Sequence, residues 1–391
     1  MPFELNNSDA RKLLGHFEGE RASVLDFTRE LCEIESPSGD AEGSRAIVGR
    51  LEEAARTIPR VESIERLPAA DDYGEHFRLR AFGGRPDSER TLLLLGHTDT
   101  VHPKGTLAQR PWRADDGRIY APGVFDMKTS CAVALAALRA LGSLGIEPRR
   151  PVVLLLTCDE ESGSRSGRAF VEEEARRADA VLVLEPPASG GRAKTARKGT
   201  GLFTLNVEGR AAHAGLEPEK GASAVLEIAR QIDHVSTFAR PELGTTINVG
   251  TVQGGTNANV VAAEARAEID VRFSTADEAR RIEGALSGLS PFDERTRVRL
   301  SGGINRPPLE RTEAVAGLYE RARRVAAAFD FELGEASVGG ASDGNFAAAC
   351  GTPVLDGLGV EGDGAHAAHE HIIADRVAFR CALLAALVAT L

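Results

Sequence analysis

Five residues of the types that bind metal ions are spread over most of the chain. They are His97, Asp126, Glu161, Glu185 and His366. Imidazole nitrogens and carboxylate oxygens are suitable ligands for Zn²⁺. Bound cations polarise a carbonyl group and lower the pKa of a water molecule, and two of them about 3.5–4 Å apart can clamp one water. These residue types therefore predict a metal site with hydrolytic chemistry.

Short apolar runs precede three of these residues, and such runs are typical of buried strands in a parallel sheet. The runs are Leu92–Leu95 before His97, Val152–Leu156 before Glu161, and Val181–Leu184 before Glu185. Open α/β sheets bind ligands beyond the carboxyl ends of their strands, so we expect these three side chains to meet there. We expect Asp126 to join them from the start of a buried helix, Met127–Leu141.

The order of helix and strand signals predicts two domains. Helices over 22–34 and 44–57 alternate with the apolar strands, as an α/β layer fold requires. From residue 199 the order becomes β-α-β-β-α-β, which is the ferredoxin-like arrangement. Its predicted elements are Leu202–Gly209, Ala222–Phe238, Thr245–Val252, Val260–Phe273, Thr275–Leu286 and Arg297–Ser301. Helices Ala314–Phe329 and Ala378–Leu391 follow this insert.

We therefore predict an α/β domain formed by residues 1–198 and 307–391, with a smaller domain inserted over 199–306. Its sheet is expected to be mixed and mostly parallel, with helices on both faces.

The composition argues against several classes of function. The 47 basic and 58 acidic residues give a net charge of −11, which is unsuited to nucleic acid or an anionic membrane surface. The N-terminus has no pattern of a signal peptide, and no apolar run reaches membrane-spanning length. The five cysteines include no C-x-x-C pair and are interpreted as reduced thiols. We therefore expect a cytoplasmic protein.

Several segments together resemble the M20 family of dinuclear zinc amidohydrolases. In the predicted α/β domain they are GHTDTV (96–101), GVFDMK (123–128), DEESGS (159–164), LEP (184–186) and GAHAAHE (364–370). In the insert they are GRAAHAG (209–215), NANVV (257–261) and DVRF (270–273), which are similar to that family's dimerisation domain. The resemblance runs from roughly residue 25 to the end and is closest to the glutamate carboxypeptidase branch.

The resemblance implies a zinc-peptidase-type catalytic domain with two Zn²⁺ ions in each subunit. Asp126 would bridge the two ions, His97 and Glu185 would complete one site, and Glu161 and His366 the other. Co²⁺ or Mn²⁺ can occupy the same ligands. Spacing alone does not choose among His366, His369 and His371, and the family pattern of His followed four residues later by Glu selects His366 with Glu370.

Three further residues acquire catalytic roles from the resemblance. Glu160 would be the general base that takes a proton from water and gives it to the leaving nitrogen. Asp99 would orient the imidazole of His97. His213, in the insert, would reach the active site of the partner subunit and stabilise the developing oxyanion. This role implies a homodimer, with the insert acting as a dimerisation and lid domain.

The resemblance implies release of a C-terminal amino acid, glutamate or similar, from a small peptide or an N-acyl conjugate. Arg272 and Arg306 are candidates to clamp its carboxylate bidentately. Lys194, Asn257 and Asn259 are further candidates to bind the same group. A salt bridge with Asp270 is the simpler interpretation of Arg272, and a solvated hinge is the simpler interpretation of Lys194.

Other readings of the sequence remain open. Within the same chemistry, the chain would be a deacylase of the acetylornithine or succinyl-diaminopimelate type. GASDG (340–344) fits G-x-S-x-G, which would make Ser342 the nucleophile of a serine hydrolase, with Asp356 or Asp363 and His366 following. GLGVEG (357–362) matches a dinucleotide-binding pattern but precedes no βαβ unit. A member that only binds metal or peptide is a further alternative.

Overall fold

The computed structural model of the protein describes residues 5–83 and 90–391. The chain divides into two compact units. The first contains Met1–Ala196, Arg311–Val338 and Ser342–Leu391. The second contains Arg197–Glu310 and Gly339–Ala341.

The elements of both units are numbered in chain order. The α-helices of the described residues are α1 Asn7–Cys32, α2 Ala41–Ala55, α3 Thr106–Gln109, α4 Thr129–Ser143, α5 Gly167–Arg177, α6 Ala224–Ser236, α7 Ala276–Ser287, α8 Glu313–Ala327, α9 Gly344–Ala349 and α10 Val377–Thr390. The strands are β1 Val61–Pro68, β2 Glu75–Ala81, β3 Thr91–His97, β4 Arg113–Asp115, β5 Arg118–Tyr120, β6 Val152–Thr157, β7 Ala178–Val183, β8 Ala193–Arg197, β9 Gly199–Glu208, β10 Thr246–Gly254, β11 Glu264–Phe273, β12 Arg297–Arg306, β13 Glu335–Val338, β14 Val354–Leu355, β15 Gly362–Asp363 and β16 His371–Ile373.

A six-stranded mixed sheet forms the centre of the first unit, in the order β1-β2-β6-β3-β7-β14. Strands β6, β3, β7 and β14 run parallel to one another, whereas β1 and β2 are antiparallel to their neighbours. The apolar runs of the sequence form the parallel centre, and their carboxyl ends lie on one edge of the sheet. The predicted mixed, mostly parallel sheet is confirmed.

Both faces of the central sheet are buried. Leu92 and Leu94 of β3 belong to the core cluster that includes side chains of α1, α2, α4 and α10. Leu93 and Leu95 are equally buried but alternate to the other face, where α5 packs on the strand. Burial on two faces explains why these strands are continuous apolar runs rather than alternating ones.

The second unit has the predicted β-α-β-β-α-β order. Its four strands form an antiparallel sheet in the order β10-β11-β9-β12. Alternate side chains of β9 and β11, such as Phe203 and Ile269, are buried against α6 and α7. Ser223 and Thr275 cap these two helices by accepting backbone N–H bonds, as N-cap residues do.

Several sequence-based boundaries were wrong. Strand β11 begins at Glu264 rather than Val260, and β12 continues to Arg306 rather than ending at Ser301. The first helix begins at Asn7 rather than near residue 22. The buried helix begins at Thr129 rather than Met127, and a wider, irregular turn over Val124–Lys128 precedes it. Asp126 lies in that turn with extended backbone angles (φ −118°, ψ 92°), so it does not begin the helix. Among the described residues, no helix is long and apolar enough to cross a membrane.

Candidate active site

His97 ends strand β3 and is almost fully buried. Its Nε2 atom lies 3.2 Å from Asp126 Oδ1 and 3.4 Å from Glu185 Oε1. Its Nδ1 atom lies 3.0 Å from the backbone oxygen of Asp99. Burial acts to lower the pKa of His97, but the carboxylates of Asp126, Asp99 and Glu185 outweigh it and hold this pKa well above its ordinary value.

Asp126 lies between two histidines and presents one carboxylate oxygen to each. Its Oδ1 atom faces His97, and its Oδ2 atom lies 3.4 Å from His366 Nε2. His366 Nε2 is also 3.1 Å from Glu161 Oε2. Burial acts to raise the pKa of Asp126, but the two imidazoles lower it further than burial raises it. A carboxylate with one oxygen on each side has the geometry of a bridging ligand.

Glu161 has a buried carboxylate oxygen whose surroundings indicate whether a cation fits this site. Its Oε1 atom is buried and has no hydrogen-bond partner, although its Oε2 atom contacts His366. Burial raises the pKa of Glu161 above its ordinary value. A buried carboxylate oxygen without a donor is costly, and a cation at this position would satisfy it. The donor set of imidazole and carboxylate therefore fits a metal site.

Two groups of side chains within the described residues bring their ligand atoms within 4.8 Å of one another. One group is His97, Glu160 and Glu185, and the other is His97, Asp126 and Glu161. The structure thus brings together all five residues that the sequence selected as ligands, with His366 joined through Asp126 and Glu161. Glu160 lies in the same cluster and is buried.

Asp99 connects His97 to the acidic turn that follows β6. Its Oδ1 atom accepts a hydrogen bond from the backbone N–H of Glu160, and its Oδ2 atom accepts one from Glu161, both at 3.1 Å. The hydroxyl of Ser38 donates to Oδ2 as well. Burial acts to raise the pKa of Asp99, but His97 and these donors lower it below its usual value. Asp99 is therefore fixed as an acceptor beside the imidazole.

Glu370 contacts the site in a way that the sequence did not reveal. Its carboxylate accepts hydrogen bonds from the backbone N–H groups of Gly123, Phe125 and Asp126, at 2.9 to 3.0 Å. The Nε2 atom of His102 lies 2.6 Å from the same carboxylate. The only sequence signal was the position of Glu370 four residues after His366.

The alternative nucleophile Ser342 is not placed to react. Its side chain is fully buried, and its hydroxyl donates to Asp356 at 2.8 Å. His366, which the serine-hydrolase reading required as a base, contacts Asp126 and Glu161 instead. We therefore discard the serine-hydrolase reading, because a buried hydroxyl without a histidine has no route to substrate.

The glycine pattern at 357–362 has a structural explanation. The buried guanidinium of Arg380 donates to the backbone oxygens of Gly357 and Gly359, at 2.8 and 2.5 Å. The loop leads directly into strand β15 at Gly362 and not into a helix. The dinucleotide reading lacks the helix N-terminus that binds a pyrophosphate.

His213 lies in an exposed loop of the second unit. Its Nδ1 atom accepts a hydrogen bond from the backbone N–H of Gly215 at 3.1 Å. A neutral imidazole that accepts at Nδ1 carries its proton on Nε2. The backbone oxygen of Asn259 accepts from Ala214, and both Asn257 and Asn259 are exposed in the neighbouring loop.

The candidate carboxylate-binding residues lie in different settings. Arg272 on β11 makes a two-pronged ion pair with Asp270, with both bonds at 2.8 Å. Arg306 ends β12 in the same unit and is largely buried. Lys194 is half-buried on β8 of the first unit. The salt-bridge interpretation of Arg272 therefore agrees with the structure.

Comparison with known proteins identifies the family. The model of peptidase family M20/M25/M40 matches residues 93–390. The chain belongs to this family. It is similar to carboxypeptidase G2 of Pseudomonas sp. (strain RS-16), with 29% identity over 89% of this chain and 84% of the relative. It is also similar to the succinyl-diaminopimelate desuccinylase of Alkalilimnicola ehrlichii, with 32% identity over 82% of this chain and 87% of the relative.

A solved structure of the same family shares the fold. The YXEP protein of Bacillus subtilis, described as a dinuclear metal binding peptidase from the M20 family, aligns with a TM-score of 0.65. The alignment covers 95% of this chain and 98% of that protein at 15% identity. The chain is thus an enzyme of the M20 metallopeptidase and amidohydrolase class, with an α/β catalytic fold and candidate groups of metal ligands.

Proposed function

We propose that the protein is a dinuclear zinc-dependent amide hydrolase that releases a C-terminal amino acid, glutamate or similar, from small peptides or N-acyl conjugates. The arrangement around Asp126, with one carboxylate oxygen directed at each of two histidines, is the observation that carries this proposal. Similarity to carboxypeptidase G2 over most of both chains supports the choice of substrate class.

The proposed ligands divide between two ions. Asp126 would contribute to holding both, His97 and Glu185 would complete one site, and Glu161 and His366 would complete the other. The two cations would supply a polarised carbonyl and a water molecule of lowered pKa. The unpartnered Glu161 Oε1 atom supports this division, because it lies buried beside His366 and still needs a positive partner. Zn²⁺ suits the donor set, and Co²⁺ or Mn²⁺ are substitutes.

Glu160 is proposed to be the general base that transfers the proton of the attacking water. Its carboxylate belongs to the same cluster as His97 and Glu185, and it would take a proton from the attacking water and deliver it to the leaving nitrogen. Asp99 holds the backbone N–H of Glu160 and lies beside His97, so it would fix both the base and the imidazole.

His213 is proposed to complete the active site of the partner subunit in a homodimer. The bond from Gly215 to Nδ1 supports this role, because it leaves the Nε2–H of a neutral imidazole as the donor for a developing oxyanion. Large exposed apolar side chains of the described residues also concentrate in the second unit, with Leu216 at 76% and Leu226 at 64% exposure. Contiguous exposed apolar patches mark interaction surfaces, and we propose that these side chains contribute to the contact between subunits.

The substrate carboxylate is proposed to be bound by arginine, assisted by Asn257, Asn259 or Lys194. Arg306 and Arg272 remain the candidates, since a guanidinium offers five N–H donors and matches a carboxylate in shape. The ion pair with Asp270 uses two donors of Arg272, and Arg306 is largely buried at the end of β12.

A second candidate function uses the same metals and the same base. Similarity to succinyl-diaminopimelate desuccinylase, at 32% identity, favours a deacylase acting on N-acyl amino acids. The cytoplasm is the proposed location for either function, and the cysteines of the described residues, none of which forms a disulfide, support it.

A substrate panel tests these functions. Hydrolysis of N-acyl-glutamates, a folate-type conjugate, dipeptides, N-acetylornithine and N-succinyl-diaminopimelate would be measured with chelator and after Zn²⁺ add-back. Chelator-sensitive release of C-terminal glutamate, restored by Zn²⁺, is the expected result. Cleavage of only the acetylated or succinylated amino acids would replace the carboxypeptidase proposal with the deacylase. Activity that resists complete metal removal would contradict both.

A further inference from the structure

The turn that presents Asp126 lacks the hydrogen bonds of a helix. The backbone angles of Asp126 and Met127 are not helical, although α4 begins only two residues later. Buried N–H groups in such a segment need other acceptors. The carboxylate of Glu370 supplies them, with Oε1 accepting from Phe125 and Asp126 and Oε2 accepting from Gly123. Glu370 itself is 3% exposed, so water does not replace these bonds.

His102 provides a fourth donor to the carboxylate of Glu370. The guanidinium of Arg110 lies 3.2 Å from His102 Nδ1. Because a guanidinium can only donate, Nδ1 must accept and the proton of the neutral imidazole must lie on Nε2. That Nε2–H lies 2.6 Å from Glu370 Oε2 and donates to it. Arg110 therefore selects the tautomer of His102 that binds Glu370.

The same arginine reaches the turn that carries His366. Arg110 donates to the backbone oxygen of Ala367 at 3.2 Å. His366 has a positive φ of 64°, a conformation that non-glycine residues keep only where their surroundings enforce it. The backbone N–H of Glu370 also donates to the Ala367 oxygen, which closes the turn.

We propose that Glu370 is a positioning residue that holds Asp126 and His366 in their metal-binding arrangement, and that His102 and Arg110 hold Glu370 in turn. This inference rests on the proposed metal site and adds the parts that preform it. Groups that orient metal ligands typically change metal affinity by about 10- to 100-fold when they are removed. Because Asp126 faces both histidines, its displacement would weaken the binding of both ions.

The test is the variant Glu370→Gln, compared with the matched control Glu227→Gln. A glutamine keeps the shape of Glu370 but would direct its NH₂ group either at the N–H groups of Phe125 and Asp126 or at those of Gly123 and His102. Glu227 is also a buried carboxylate that accepts two backbone N–H bonds, from Phe292 and Asp293, but it lies in the second unit. Both variants lose buried hydrogen bonds, but only the bonds of Glu370 are made to the turn that carries Asp126.

Two measurements are made on each protein. The affinity for Co²⁺ is measured by visible absorption, and amide hydrogen exchange of the 123–126 segment is measured without metal. We expect Glu370→Gln to bind Co²⁺ about 10- to 100-fold more weakly and to exchange these amides faster than wild type. Glu227→Gln should keep wild-type values of both. Arg110→Met, which retains the apolar stem, should weaken Co²⁺ binding in the same direction but less.

The proposal is overturned if Glu370→Gln and Arg110→Met bind Co²⁺ as wild type does, or if Glu227→Gln weakens binding equally. If Glu370→Gln does not fold, Arg110→Met alone tests the proposal. Arg110 is only half-buried, so we expect its replacement to leave the protein folded. Wild-type protein that binds no Co²⁺ would instead contradict the proposed function. The exchange comparison on metal-free protein would then still decide whether Glu370 holds the segment.

Discussion

At the scale of single residues, the sequence located the site but not its geometry. His97, Glu161 and Glu185 were identified because each follows an apolar strand, and the structure clusters them at one edge of the sheet. The residue types could not show that Asp126 directs its two oxygens at different histidines. That geometry depends on an irregular turn whose N–H groups donate to Glu370, 244 residues further along the chain.

Glu160 is the residue whose replacement separates chemistry from metal binding. Glu160→Gln removes the proposed proton carrier but leaves the five proposed ligands in place. We expect kcat to fall by about 10²- to 10⁴-fold, because that is the usual contribution of a general base. Metal content measured by mass spectrometry should stay at the wild-type value. A kcat close to wild type would mean that another group moves the proton.

The three clustered histidines allow a selective test of one ligand. His366 contacts Asp126 and Glu161, whereas His371 hydrogen-bonds the backbone oxygen of His369 and lies against the ring of Tyr120. We expect His366→Ala to lose metal affinity and activity, and His371→Ala and His369→Ala to keep both. Metal titration of the three variants checks this, and equal losses in all of them would contradict the assignment of His366.

At the scale of elements, side-chain patterns predicted where strands lie along the chain better than they predicted the order of the strands in the sheet. The apolar runs gave β3, β6 and β7, because a strand buried on both faces must be apolar throughout. The order β6-β3-β7 depends on the connections between strands, which no single run encodes. Strands such as β1, with many half-buried polar side chains, gave no comparable signal.

His76 joins three elements and provides a test of stability against pH. It lies on β2, its Nδ1 accepts from Cys158 after β6, and its Nε2 contacts Ser166 before α5. Burial lowers the pKa of His76 to about 4, although Asp343 and Asp99 act to raise it. A proton on Nδ1 would face the N–H of Cys158, so the folded protein keeps this imidazole neutral.

The folded-state pKa of His76 lies below the ordinary value of 6.5, so stability is lost as the pH falls. Between pH 7 and pH 4 the unfolded chain binds a proton that the folded chain resists, which lowers the free energy of unfolding by about 3 kcal/mol. His76→Asn keeps the acceptor without this proton. Urea unfolding with chelator present should show that wild type loses about 3 kcal/mol more than the variant over this range. Parallel curves would refute the prediction.

At the scale of the whole molecule, the ferredoxin-like order of the second unit was predictable because its strands alternate between buried and exposed side chains. The assembly into a dimer was not predictable from such a pattern. It follows only from the role of His213, which the sequence indicates through resemblance alone. The proposed role in the partner's active site therefore needs a direct test of subunit exchange.

Mixed dimers provide that test. Glu160→Ala and His213→Ala subunits are each expected to be inactive, because each dimer lacks one group in both active sites. After exchange, a mixed dimer would contain one active site with Glu160 and with His213 of the partner subunit. We expect activity to return to roughly a quarter of wild type, since about half of the dimers are mixed and each has one complete site. No recovery after exchange confirmed by native mass spectrometry would exclude a role in trans.

The most direct test of the account is the metal content of wild type and of Asp126→Ala, measured by mass spectrometry after dialysis against a limiting chelator concentration. Asp99→Ala, which lies beside His97 but is not a proposed ligand, serves as the comparison. We predict two ions for each wild-type chain, loss of both in Asp126→Ala, and retention at higher metal concentration in Asp99→Ala. Two ions retained by Asp126→Ala would contradict the bridging carboxylate on which the proposed mechanism depends.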